Sequence, residues 1–192
     1  MKVADSGMPD EAYWNNLFNI PAIIDWLGLH TVPGPIVEVG CGYGTFTVPV
    51  AKATEFDVLA FDIDAEMITA AERNVREARR ANVTFFQRDV LSIGTGLPDS
   101  SVGMVLLFNI LHFPERWILL EEAARILVDS GVVAIIHWRK DIDTPRGPQV
   151  NLRPDQVIIL NSITGLGLSD TGDCRVLEPY HWGIKLRKGR LS

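Results

Sequence analysis

Five short apolar runs punctuate this chain, at residues 36–39, 56–61, 83–87, 102–108 and 132–138. They are rich in Val, Ile, Leu and Phe, the residues that suit strands. The run at 102–108 is apolar almost throughout, as in a strand covered on both faces. Between the runs, apolar residues recur at the helical spacing of three to four. Residues 45–54 form one such segment, with Pro49 expected to kink it. Another opens at Asp64, a side chain suited to capping a first turn, and continues to about residue 81 with Met67, Ala70, Ala71, Asn74, Val75 and Ala78 along one side. Its Arg73, Arg76, Arg79 and Arg80 read as a solvated face. A third helix is expected at 114–128, with Trp117, Leu120, Ala124 and Leu127 at core spacing.

Ahead of the first strand, residues 1–8 read as a loose start and 9–29 as two helical pieces. Pro9, Asp10 and Glu11 open the first piece, and Asn19 caps the second with Pro21 in its first turn. After the fifth strand come a polar loop at 139–153, a helix at 154–164, a loop at 165–173 and two closing strands at 174–177 and 181–187. The short spacer Glu178-Pro179-Tyr180 makes that last pair an antiparallel hairpin. Strand and helix alternate five times, the sequence form of an α/β doubly wound sheet. Residues 1–192 therefore read as a single domain: a helical lid at 9–29, a ligand-binding core at 36–138, and a substrate-side region at 139–192.

The chain is organised around Val37-Glu38-Val39-Gly40-Cys41-Gly42-Tyr43-Gly44, where a strand runs into three glycines at every second position. Glycine tolerates positive φ and lets a ligand approach the backbone. At a strand-to-helix turn such residues aim free N–H groups into the crevice beyond the strand's carboxyl end. A dinucleotide fingerprint would read Gly-x-Gly-x-x-Gly, whereas the third glycine arrives here one residue early. Asp62 ends the second strand about 20 residues on, where a carboxylate can accept both hydroxyls of a ribose. Asp89 ends the third, where it can accept from an adenine amino group.

Composition narrows the field. Of 192 residues, 47% are hydrophobic and 22% charged, as in an ordinary globular protein, and the net charge of −6 argues against nucleic acid or an anionic membrane as partner. Cys41 and Cys174 stand far apart and outside any metal-ligand spacing, so neither a disulfide framework nor a bound metal is expected. No apolar h-region follows the N-terminus and no run is long enough to cross a bilayer, which makes the cytoplasm the expected location.

At this point the sequence resembles the class I S-adenosylmethionine (SAM)-dependent methyltransferases. It is most similar to the small bacterial type 11 group related to ubiquinone and menaquinone biosynthesis. The carriers are the glycine turn, Phe61-Asp62-Ile63-Asp64, Gln87-Arg88-Asp89-Val90, Leu97-Pro98-Asp99-Ser100-Ser101, Asn109-Ile110-Leu111-His112 and Glu122-Ala123-Ala124-Arg125-Ile126-Leu127. Gly103, where relatives often have Asp, and Asp129-Ser130-Gly131, in place of a Pro-Gly-Gly turn, depart from the pattern. The resemblance implies a Rossmann-like, seven-stranded, mostly parallel sheet with an antiparallel C-terminal strand. It also implies that Gly40, Cys41, Gly42 and Gly44 lie under the methionine part of SAM while Glu38 holds the turn. Asp62 would bind the ribose, Ile63 the adenine face, and Asp89 with Val90 the adenine edge, and Asn109 would border the methionine end.

Methyl transfer from a sulfonium needs alignment in a water-poor pocket and, for a protonated nucleophile, a base. His137 and His112, at the carboxyl ends of the fifth and fourth strands, are the first candidates, and His181 follows. Tyr13, Trp14, Trp138, Arg139, Arg146 and Tyr180 are the substrate-side candidates, the arginines suiting a carboxylate or phosphate. The expected activity is methylation of a small molecule with S-adenosylhomocysteine (SAH) as by-product. The alternatives are a non-catalytic SAM-binding partner subunit and, further off, an NAD-dependent oxidoreductase.

Overall fold

The computed structural model describes residues 8–189, so residues 1–7 of the expected loose start lie outside the described residues. In chain order the helices are α1 (Glu11–Asn15), α2 (Ile20–Leu27), α3 (Thr47–Ala53), α4 (Ala65–Glu77), α5 (Val90–Ile93), α6 (Trp117–Ile126) and α7 (Gln156–Ser162). The strands are β1 (Ile36–Val39), β2 (Val58–Asp62), β3 (Val83–Gln87), β4 (Val102–Phe108), β5 (Leu127–Trp138), β6 (Leu168–Leu177) and β7 (His181–Lys188). They form one seven-stranded sheet in the order β3-β2-β1-β4-β5-β7-β6. β1 to β5 pair in parallel, and β7 lies antiparallel between β5 and β6. The order reverses between β1 and β4, and a crevice opens there beyond the carboxyl ends of the strands.

Alternation along the strands divides the core into two layers. Val37, Val105, Val133 and Ile135 face α6 and Ile159 of α7, while Ile36, Leu106, Ala134 and Ile136 face Ile23, Trp26 and Leu27 of α2 and Val50 of α3. Gly103 packs where a Cβ would stand 2.8 Å from the backbone nitrogen of Gly34, so the missing Asp is matched by a close backbone approach.

Several expected boundaries move, each for a local reason. Pro49 is the third residue of α3, inside the first turn, where a missing N–H costs no helical bond, and the helix proceeds from it. The second strand starts at Val58 rather than residue 56, and Phe56 is exposed. The helix after β4 opens with a 3-10 turn at Pro114–Arg116, which rotates Trp117 outward; it is 48% exposed, and Leu119, Leu120 and Ala123 take the core positions. Leu127 belongs to β5, which runs through Asp129-Ser130-Gly131 instead of turning there. The ladder to β4 skips between Val102↔Leu127 and Met104↔Val132, and Ser130 takes φ 66°, so the polar triplet is absorbed as a strand irregularity. β6 likewise begins at Leu168, inside the segment expected as a loop.

Candidate functional site

β1 ends in the glycine turn, and the backbone does there what the residue types allow. Gly40, Gly42 and Gly44 have φ of 77°, 53° and 77°. A Cβ on Gly40 would stand 2.8 Å from Cγ2 of Ile110, and one on Gly44 would press on Ala71 of α4. Gly40 and Cys41 both donate to the carbonyl of Phe61, which fastens the turn to the end of β2. Asp62 then clamps it: Oδ2 accepts from the N–H of Gly42 at 2.8 Å, and Oδ1 accepts from the N–H of Asp64 at 3.0 Å. Burial raises the pKa of Asp62, and these backbone donors oppose the shift. Glu38 lies beneath the turn, 1% exposed, and accepts from Oγ1 of Thr47 at 2.5 Å. Burial pushes its carboxyl up to about 8 despite the Thr47 bond, and the nearby Asp62 charge adds to the rise. Burial also raises the thiol of Cys41.

Over this turn lies a cavity of about 290 Å³. The structure brings Gly40, Cys41, Gly42, Asp62, Ile63, Asp89, Val90 and Asn109 to its walls. Glu38 stands below the turn rather than on the wall. Ile63 is 40% exposed, an apolar side chain left bare at the cavity rim. Asp89 caps the short helix α5, accepting from the N–H and Oγ of Ser92 at 3.1 and 2.7 Å. Met67, Leu91 and Phe113 complete the apolar part of the wall. Met67 was legible as a helix face turned to the sheet but not as a wall residue, because the first turn of α4 leans over the end of β2.

The other end of the cavity is polar and strained. Asn109 leaves β4 with φ 57°, in the left-handed region, and both its Oδ1 and Nδ2 are buried with no hydrogen-bond partner. Nδ1 of His112 is in the same condition. Such orphans cluster where a ligand completes the bonding. Of the three candidate histidines, only His112 reaches a cavity wall. His137 is fully buried behind it, the ring centroids 5.9 Å apart. His181, on the opposite face of the sheet, is stacked on Phe18 at 4.4 Å and lies 4.3 Å from Trp138. Burial lowers the pKa of all three, His181 to about 3 and His137 well below the ordinary 6.5.

The N-terminal helix is fastened over the cavity by contacts that no periodicity encodes. Tyr43 donates to the carbonyl of Pro9 at 2.9 Å, and Thr45 donates to Oδ1 of Asn15 at 2.7 Å. Glu11 accepts from Asn74 at 2.6 Å and from Arg73 at 2.8 Å, so Arg73 is not simply part of a solvated face. Trp14 thereby lines the cavity, and Tyr13, on the same helix, points outward at 42% exposure.

Beside Asn109 and His112 a smaller chamber of about 20 Å³ is closed by Trp14, Trp138 and the segment Arg146–Pro148. Arg153 holds that segment, donating to the carbonyls of Pro148 at 2.9 Å, Arg139 at 2.6 Å and Arg146 at 3.4 Å. Tyr180 packs on Trp138 from outside, ring centroids 6.4 Å apart. Arg139 turns away to pair with Asp141 and Glu178, and lines a separate cleft of about 390 Å³ with Cys174 and Val176.

A model of the family described as "Methyltransferase domain" matches residues 36–131. A ribosomal protein L11 methyltransferase from Bacillus cereus is 31% identical over 100 residues, which cover 52% of this chain and 32% of that protein. The chain thus spans about a third of the length of the curated relatives it matches. Among solved structures, a SAM-dependent methyltransferase from Aquifex aeolicus aligns over 93% of both chains with TM-score 0.78 and 23% identity. A putative type 11 methyltransferase from Sulfolobus solfataricus aligns over 92% of this chain and 95% of its own, with TM-score 0.70 and 25% identity.

Proposed function

The chain belongs to the methyltransferase domain family, and from that premise we propose that it transfers the methyl group of SAM to a small-molecule acceptor, releasing SAH. The observation that carries this is the Asp62 clamp at the base of a cavity whose far end holds the unpartnered Asn109 and His112. The wall fits the cofactor's parts in order. The free backbone of the glycine turn would take the methionine carboxylate, Asp62 the ribose hydroxyls, Ile63 and Val90 the faces of the adenine, and Asp89 its edge. Bound SAM supplies an electrophilic methyl on sulfur: a bond from the acceptor to that carbon forms as the C–S bond breaks, and its pair stays on sulfur.

The chain's own residues align the acceptor and exclude water. Trp14, Phe46 and Phe108 give the methyl end apolar walls. Asn109 would orient the nucleophile, and His112, held neutral by burial, would accept a proton at Nδ1 where the nucleophile carries one. His137 behind it would fix the ring. Methylation of a protein, the activity named for the Bacillus relatives, is the second reading, and the match to those proteins covers 32% of their length. Calorimetry with SAM and SAH tests the proposal, and absence of binding at millimolar ligand overturns it.

A further inference from the structure

α1 is held over the cavity more lightly than the wall that faces it. None of its five residues is buried, and Trp14 meets Phe18 and Trp138 edge-on, at 5.0 and 6.2 Å. An element with few buried contacts and an exposed backbone opens locally at far lower cost than the fold as a whole. The wall across the smaller chamber is the opposite case. Gly147 there lies so flat against Trp138 that a Cβ would stand 2.9 Å from the indole ring, and the buried guanidinium of Arg153 fastens the segment through three carbonyls.

Among the described residues, what holds α1 converges on the glycine turn. Tyr43 stands between Gly42 and Gly44 and bonds Pro9, and Thr45 follows them and bonds Asn15. Asn74 is the third point. Its Nδ2 donates to Glu11 at 2.6 Å and to the carbonyl of Tyr43 at 2.8 Å, so one amide joins α1, α4 and the turn. The roof in turn reaches the site: Met8 stands over Gly42, 3.5 Å from where a Cβ would be, and Trp14 lines both the cavity and the smaller chamber. Resting on the reading that this cavity holds SAM, we propose that α1 is a gate on cofactor exchange. It unlatches from Tyr43, Thr45 and Asn74 before SAM enters or SAH leaves, and a ligand on the turn holds it shut through Met8 and Trp14. Glu11 and the Tyr43 hydroxyl latch the gate without lining the cavity, so weakening them opens the empty and the occupied protein alike.

Surface plasmon resonance on the full chain tests this with SAH as the probe, comparing the wild type with the double variant Glu11→Ala/Tyr43→Phe. The association and dissociation rate constants are both expected to rise about fivefold, the scale of lost side-chain hydrogen bonds, with the dissociation constant held within about twofold. In the wild type, saturation with SAH should slow amide exchange across residues 10–17 several-fold, a readout that does not depend on how the variant folds. A rise confined to dissociation, which weakens affinity in proportion, makes α1 a passive wall and overturns the inference. So do rate constants that fail to rise together, or exchange at 10–17 that ignores SAH. In each of those cases SAH still binds and the methyl-transfer reading stands. Failure of the wild type to bind SAH overturns both.

Discussion

The N–H of Gly42 lies 2.8 Å from Oδ2 of Asp62, a bond across twenty residues of chain that ties the glycine turn to the end of the neighbouring strand. One carboxylate thus shapes the turn and faces the cavity. Asp62→Ala removes both roles, and SAH affinity should fall by about 1–3 kcal/mol, the scale of a charged hydrogen-bond acceptor. Asp62→Asn keeps an acceptor for one of the two N–H donors and should fall in between. Calorimetry reads both, and wild-type affinity in D62A removes Asp62 from the ribose.

The N-terminal helix offers a separate test. Glu11 joins α1 to Asn74 and Arg73 of α4 through both carboxylate oxygens. Arg73 is half exposed, so its ion pair contributes little, and the bond to Asn74 carries most of the anchoring. Glu11→Ala is expected to cost only about 1 kcal/mol of global stability. Amide exchange across residues 10–17 should nevertheless rise well above that of α2. Uniform protection in the variant means the other tethers, Tyr43 to Pro9 and Thr45 to Asn15, suffice alone.

How much of this was legible in the chain depends on the kind of signal. β4 matches the expected 102–108 because burial on both sides makes a strand an unbroken apolar run, whereas β3 matches 83–87 as a half-exposed edge strand marked by Val83, Phe85 and Phe86. Asp62 ends β2, and Ile63, Asp89 and Asn109 follow strand ends, so locating the strands located them at one rim. Trp117 was misread because a 3-10 turn shifts the phase of the helix that follows it. The α1 anchor and the packing of Gly147 on Trp138 were not legible at all, since polar contacts between distant elements leave no period in the sequence. The same holds for His137: a strand end placed it correctly along the sheet, but which layer it faces, and that His112 stands between it and the cavity, needed the pairing register.

Glu38 makes stability fall with pH in a defined window. Its carboxyl titrates near 8 in the fold against an ordinary 4.5, so between those values the native state holds a proton that the unfolded chain has lost. Stability from this group is full below about 4.5 and lost as pH rises through about 8, with a slope approaching about 1.4 kcal/mol per pH unit. His137 and His181 act in the opposite sense. Their folded pKa values lie below 6.5, so their contribution is complete above that value and lost on acidification. The sum places maximal stability near pH 6.5. In urea titrations Glu38→Gln, which keeps the partner of Thr47, should flatten the limb between 6.5 and 8 and leave the acid limb intact. An unchanged alkaline limb would show that Glu38 is ionised in the fold.

His112 is the test of the chemistry. It is the one candidate histidine on the cavity wall, its Nδ1 is unpartnered, and burial lowers its pKa from 6.5, with Arg116 adding to the effect. The imidazole is therefore neutral at pH 7 and available as a base without prior deprotonation. With a phenolic acceptor, kcat/KM should rise with pH through a value below 6.5 and stay level above it. His112→Gln preserves a hydrogen-bonding side chain but not a base, so turnover should fall by about 10²–10⁴-fold and the rising limb should move toward the pKa of the acceptor itself. SAH affinity should hold, because in the proposed placement of the cofactor the imidazole lies beyond its methionine end. His137→Gln, acting only through the ring of His112, should cost less and keep the limb in place. If H112Q retains both the rate and the wild-type limb, the acceptor loses its proton to water and His112 serves only to close the wall.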